Sequence, residues 1–384
     1  MTTASDAPQD APADAFVNAS ADALTSAPVA APTSDREAAL ESGRGSTRWV
    51  VCASALALMA IFAGVVIGPA GLTWWRVPLA LLDHLPLISI DSGVTDSQWN
   101  ILWQIRMPRV VLGGLVGAML SVGGASYQGV FRNPLVDPYQ LGAAAGAGLG
   151  ATLMIATFRG VGADWPIDPV PAVAFVFALA AVAVTYFVGA AFGGARSTAN
   201  LVLSGVAMVS LLTAAQTFLL QRNSEVIREV YTWILGRLNT ADWDDVKLVA
   251  PYVLVSCVVL FLHRRHLDAL RVGDDEATTL GIPVARVRLI VVIAATLGTA
   301  AVVSVSGLIG FVGIVVPHVV RLVAGSSYRR VLPLSALFGA AFLIVCDIPA
   351  RMLTAPAELP IGVVTAFVGA PFFIVLLRTR NLNR

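Results

Sequence analysis

From Trp49 onward the chain alternates long apolar runs with short polar interruptions. A bilayer span needs about 17–25 mostly apolar residues. Ten segments satisfy that rule: 49–68, 108–129, 141–158, 170–192, 200–220, 246–262, 287–304, 307–324, 331–348 and 360–377. The pattern therefore predicts an all-α, polytopic integral membrane protein with about ten transmembrane helices. The weakest boundary is Ser304–Gly307, a short break between the seventh and eighth runs, so nine or eleven helices also fit. Residues 1–47 have no apolar periodicity and are rich in Ala, Pro, Ser, Thr and Asp, which predicts a disordered tail ahead of a membrane domain over 48–384. The opening MTTASDAPQD lacks the basic and apolar regions of a signal peptide, so the first run is expected to stay as a helix.

Two connections carry structure of their own. In Asn223–Gly236 the apolar positions Val226, Ile227, Val230, Trp233 and Ile234 have helical spacing, with Ser224 as a candidate cap. Trp74, Trp75, Trp99 and Trp103 suit the headgroup zone and predict that Leu72–Trp103 rides along the membrane interface. Placing the N-terminus inside puts sixteen basic residues on the cytoplasmic side and nine outside, with His263–Arg288 the densest cluster. Both termini are thus expected in the cytoplasm.

Composition narrows the class. Hydrophobic residues make up 57%, charged residues only 13%, and mean hydropathy is +0.78; soluble domains carry about 25% charged residues. A net charge of +1 argues against a nucleic-acid partner and leaves membrane lipid as the general environment. The one lysine, Lys247, sits in DWDDVKLVA, so there is no Walker A motif and ATP-driven work needs a separate subunit. Cys52, Cys257 and Cys346 lie far apart in apolar runs and read as small hydrophobes.

The polar interruptions carry the chemistry. Gln128–Pro138, QGVFRNPLVDP, places Arg132, Asn133, Pro134 and Pro138 between two spans, and hydrocarbon cannot satisfy such a backbone. It must lie in water, in protein or along a lumen; a tight turn and a pore constriction at Asn133 and Leu135 fit about equally. Within Gly310–Arg321, Pro317 breaks the apolar run, and His318 and Arg321 share a helical face. They could line a lumen or bind a partner, and Arg321 could equally mark the membrane boundary. Asp347 and Arg351, four residues apart, can pair, and Glu358 lies nearby. The spacing from Arg106 through Gly124 to Pro134 is echoed from Arg288 through Gly307 to Pro317, as in an inverted repeat or by chance. Glycines crowd Gly113–Gly124 and the LGAAAGAGLGA run, which predicts close helix packing. Leu267–Gly281, LDALRVGDDEATTLG, reads as a short amphipathic cytoplasmic element gripped by a soluble partner.

Together these pieces resemble the permease subunits of binding-protein-dependent ATP-binding-cassette importers for iron–siderophores, haem and cobalamin, the FecCD group. The resemblance runs over roughly 50–380, with RNPL at 132–135, PH-x-x-R at 317–321 and ELP-x-G at 358–362 in family order. It implies a permease dimer, of two identical or two related chains, with the path between them, coupled to separate ATPase subunits and an extracytoplasmic substrate-binding protein. It implies no catalytic residue, cofactor or metal site. Asn133 and Leu135 look like inner-gate positions, and Leu267, Leu270, Gly273, Asp274, Ala277, Leu280 and Gly281 like the ATPase-coupling loop. Arg106, Arg109 and Arg351 match arginines that receive a binding protein's acidic residues. Gln128, Pro134, Pro317, His318, Arg321, Glu358 and Pro360 fall on pathway or structural positions. The chain departs from the family where Ser327-Tyr328 replaces a common Asp-His pair, and where Gly273-Asp274 replaces Gly-Glu. Ferric siderophore is the preferred cargo, with haem or cobalamin as alternatives. A different class, a stand-alone ion-coupled transporter, would use Asp347 or Glu358 as a proton carrier. An intramembrane enzyme lacks a nucleophile–base pair or a second acidic metal motif.

Overall fold

The computed structural model describes residues 33–68, 73–83, 93–158, 168–193 and 198–382, with main chain only for 33–47, 192–193, 198, 376–377 and 379–382. The chain divides into two compact units, 1–47 and 48–384. Of the expected disordered tail, residues 1–32 lie outside the described residues. So do Leu72 and 84–92 of the expected interfacial segment.

Fifteen α-helices are described: α1 (Thr33–Val66), α2 (Arg76–Asp83), α3 (Asp96–Asn100), α4 (Met107–Val130), α5 (Ala143–Thr157), α6 (Pro169–Gly193), α7 (Thr198–Arg222) and α8 (Ile227–Ile234), then α9 (Trp243–Leu262), α10 (Arg264–Leu270), α11 (Asp274–Thr279), α12 (Val284–Ser306), α13 (Val312–Ala324), α14 (Tyr328–Met352) and α15 (Ile361–Leu382). Seven helical stretches are long and apolar enough to cross a membrane, and α5, α13 and α15 supply shorter apolar helices. The ten segments expected from hydropathy fall on these ten stretches.

Burial sorts them. In α4 and α12, 78% of the most apolar window is inside the protein, against 17% in α7. The first two form the axis of the bundle, and α1, α6, α7 and α9 present most of their surface outward. Lipid supplies no hydrophobic drive between helices, so contact depends on close fit. A side chain on Gly117 would overlap the Gly339 carbonyl of α14, and one on Gly124 would overlap that of Gly313 in α13. Polar pairs add to the fit: the Tyr127 and Thr296 hydroxyls are 2.6 Å apart between α4 and α12, and Gln216 of α7 donates to Gly148 O and Thr152 Oγ1 of α5.

The structure changes three details. The span expected at 108–129 continues back to Asp96 through α3 and a π-helical turn, Ile101–Arg106, giving one helical rod to Val130. Pro108 occupies the first turn of α4, where it removes no needed donor, so it does not end the rod. Trp99 and Trp103 therefore stack on this rod, and Trp103 meets Trp243 of α9, whose Nε1 donates to Trp103 O. Ser224 does not cap α8: it lies in a 3-10 turn, Ser224–Val226, and no side chain caps α8. The apparent repeat holds only in direction, because Arg106 and Arg288 lie on helices at opposite ends of the bundle. Its later members diverge: Gly124 is inside α4 whereas Gly307 follows α12, and Pro134 is in a loop whereas Pro317 is inside α13.

Candidate functional site

The candidate residues gather at the two ends of α4 and along one side of the bundle. Arg109 and Gln128 are nineteen residues apart on that helix, about 28 Å at 1.5 Å per residue.

At the Arg109 end the side chains neutralise one another. Arg109 grips Asp347 through Nε (3.0 Å to Oδ2) and Nη2 (2.8 Å to Oδ1), and its Nη1 donates to both Glu358 oxygens at 2.9 Å. Arg351 Nε lies 3.6 Å from Asp347, the four-residue pairing expected on α14, and its Nη2 donates to Gly64 O at 2.6 Å. Arg106 Nη1 donates to Val65 O and Val66 O. The last turn of a helix leaves carbonyls without intrahelical donors; here two arginines supply them for α1. Arg106, Arg109 and Arg351 are all 7% exposed or less. In this conformation their guanidiniums are engaged by α1 and by Asp347 and Glu358, at the positions that the resemblance matches to arginines receiving a binding protein's acidic residues. A proton carrier at Asp347 also fits poorly, because both carboxylate oxygens already accept from Arg109 and Arg351 adjoins them. The ELP-x-G element clips onto the same end. Pro360 precedes α15, Leu359 N donates to Ala350 O, and Gly362 N donates to Leu235 O.

Between the ends lies an apolar cavity of about 560 Å³, walled by Leu235, Leu308, Phe311, Phe367 and Ile374 among others. Phe311 caps α13 with φ +69°, a left-handed conformation costly for a bulky residue and characteristic of functional segments. His318 sits edge-on to Phe372 of α15, 6.1 Å between ring centres, and Pro317 is buried inside α13.

At the other end the 131–142 segment folds back into protein, one of the environments its sequence demanded. Phe131, Val136, Asp137, Pro138 and Leu141 are buried, whereas Leu135 is 45% exposed. Asn133 Oδ1 accepts from Leu135 N at 3.0 Å, so it holds an orphan N–H rather than bridging carbonyls. Arg132 takes a left-handed φ of +49° to make the turn, in which Pro134 takes part. Gln128 donates to Gly313 O and accepts from Arg321, joining α4 to α13. Arg321 is thus a cross-link between α4 and α13.

The loop candidates divide into anchors and tip. Leu267, Leu270 and Ala277 are buried, and Gly273 is buried as the cap of α11. Asp274 lies 2.9 Å from fully buried Arg288 and 3.7 Å from Arg132, so it secures the loop. Asp275, Glu276, Leu280 and Gly281 are exposed, with Val272 and Leu280 each 70% accessible. Gly281, at φ +79°, closes α11 in a conformation that favours glycine. Three residues escaped the sequence reading. Asp268 of α10 accepts from Ser327 Oγ (2.8 Å) and Tyr328 N (2.7 Å), capping α14 from another helix. Asp137 accepts from Tyr139 N, and the Tyr139 hydroxyl accepts from Ile309 N.

An all-α bundle of membrane-length helices, a side cavity with apolar walls and no P-loop define a multi-pass membrane permease. The chain belongs to the FecCD transport family, whose model matches residues 56–379. It is 37% identical over 373 residues to the cobalamin import system permease protein BtuC of Halobacterium salinarum, covering 89% of this chain and 99% of that one. It is 36% identical to the hemin transport system permease protein HmuU of Yersinia pestis, over 76% of this chain and 87% of that one. A solved structure described as an inward-facing conformation of a metal-chelate type ABC transporter aligns with TM-score 0.74 and 27% identity, covering 87% of this chain and 99% of that chain. The chain is accordingly an ABC importer permease.

Proposed function

We propose that this permease moves a metal chelate of the ferric-siderophore class inward across a cytoplasmic membrane, with a second permease copy completing the path. The observation that carries this reading is the apolar cavity beside α8, α13 and α15. A wall with few polar groups gives a large, rigid solute no strong foothold, which suits passage better than capture. In this reading the Asn133 end and both termini face the cytoplasm, and the Arg109 end faces the substrate-binding protein. The 264–281 loop docks a separate ATPase through exposed Val272, Asp275 and Leu280, and the permease makes no bond itself. A second reading, cobalamin as cargo, is favoured by the near full-length match to the cobalamin permease.

Reconstitution with the ATPase and binding protein in proteoliposomes, supplied in turn with labelled ferric siderophores, haem and cobalamin, tests both. ATP-dependent accumulation of a siderophore supports the first reading, and accumulation of cobalamin alone replaces it with the second. Asp275→Arg tests the docking surface: ATPase association should fall about tenfold with an unchanged melting temperature. Unchanged association would remove the loop tip from the interface.

A further inference from the structure

Four helices meet at the Asn133 end around a pocket that the transport reading leaves unused. Its volume is about 220 Å³, and Gln128, Arg132, Arg271, Arg321 and Tyr328 are among its walls. Three guanidiniums line it and no carboxylate does. The ion pairs around it are also unbalanced. Arg132 and Arg288 share Asp274, Arg271 lies 3.9 Å from Asp268, and Arg321 has no carboxylate within 4 Å among the described residues. Of the three guanidiniums that line the pocket, Arg132 and Arg271 thus have distant carboxylates at 3.7 and 3.9 Å.

Arg321 makes the deficit specific. One of its terminal nitrogens donates to the neutral Gln128 Oε1, while the other, Nη1, is buried without a hydrogen bond. A buried donor left unpaired costs about 1–3 kcal/mol, more when charged. Gln128 offers no second acceptor atom, because its amide nitrogen is itself a donor and bonds Gly313 O. Arg271 is held at the rim by Ser326, through Nη1 to O at 2.9 Å and Nη2 to Oγ at 2.8 Å. The missing partner is an acceptor with several oxygens and at least one negative charge.

We infer that this pocket binds a phosphate-type oxyanion, supplied by the headgroup of an anionic phospholipid. Guanidinium forks match the paired oxygens of a phosphate, and basic pockets between transmembrane helices hold such headgroups. The surface beside the pocket favours a lipid over a free ion. Leu322 and Val323, the next residues on α13, are 67% and 39% exposed on other faces of that helix, so apolar surface at the same level of the bundle is open to acyl chains. The inference is independent of which cargo the permease carries.

The test uses the full-length protein in mild detergent. It is titrated separately with phosphatidylglycerol, phosphatidylcholine and inorganic phosphate, with bound lipid counted by native mass spectrometry and phosphate binding measured calorimetrically. Phosphatidylglycerol should bind about tenfold more tightly than phosphatidylcholine, and Arg321→Gln and Arg271→Gln should each weaken it about tenfold. Arg132→Gln, at a side chain 44% exposed, alters the pocket with little risk to folding and should weaken it less. Melting curves on every variant separate lost binding from lost fold. Binding of inorganic phosphate without a phosphatidylglycerol preference would uphold the oxyanion site and overturn the lipid source. Equal retention of both lipids with no phosphate binding would overturn the proposal, as would a preference that survives the Arg271→Gln/Arg321→Gln pair. If the wild type binds neither and the variants lose only ATPase association, the occupant is an acidic residue of the partner and the proposal fails.

Discussion

Arginines gather at both ends of α4 and behave differently. At the Arg109 end, Arg109 and Arg351 face two carboxylates, Asp347 and Glu358, while Arg106 and Arg351 also fill the open carbonyls of α1. Each of the three guanidiniums there is engaged, although Arg351 Nε stays 3.6 Å from Asp347 without a hydrogen bond, and the small cavity beside them, about 50 Å³, has room for little more than water. At the Arg132 end three guanidiniums line a larger cavity that has no carboxylate in its walls. Both ends hold buried or partly buried arginine. The count of partners, more than the depth of burial, separates a cross-link from a recognition surface.

The sharpest way to break this contrast is Asp347→Asn. It leaves Arg109 and Arg351 buried without their main counter-charge, and losing one partner of a buried pair costs about 3–5 kcal/mol. Thermal unfolding in detergent should show a large drop in melting temperature. A drop no greater than that of an exposed-site variant would mean that the closed end is not a cross-link. Asp274→Asn should cost less, about 2–3 kcal/mol, because it strips fully buried Arg288 of a carboxylate that is itself partly exposed; the same melts check it. Gly124→Ala probes the contact between the ends, where the added methyl meets the Gly313 carbonyl. About 1–3 kcal/mol should be lost, as in other overpacked cores. Arg132→Gln should change stability least, by under about 1 kcal/mol, since its pairing with Asp274 is long and solvent-screened. A larger loss in the melt would show that the open end carries structural load after all.

Hydropathy made the helices legible because each apolar run is a local property. The Gly-rich stretches were legible for the same reason, since a missing side chain invites contact with any neighbour, as Gly117 and Gly124 do. The start of the second span was not, because Arg106, Pro108 and Arg109 read as a boundary although the helix runs through them. Nor was the fate of the arginines. Arg109 and Asp347 are 238 positions apart, and outward topology says nothing of a carboxylate supplied by a distant helix. The Asp347–Arg351 pairing was visible because it is a four-residue step on one helix. Within 267–281 the apolar periodicity separated buried Leu267, Leu270 and Ala277 from the tip, but the capture of Asp274 by Arg288 depends on a helix entered ten residues later. His318 and Arg321 share a face as their spacing requires, yet one meets α15 and the other α4.

The cap that Asp268 places on α14 has a consequence for inheritance. The start of that helix is completed by an atom from α10, sixty positions earlier in the chain. Residues 268, 327 and 328 therefore form one exchangeable unit although three helices and four connections separate them. A 264–281 loop transplanted from a relative would arrive with its own acceptor or without one, and it would fit only if the first residues of α14 travelled with it. Chimeras cut between the two segments should assemble poorly, and restoring the matching pair should rescue them.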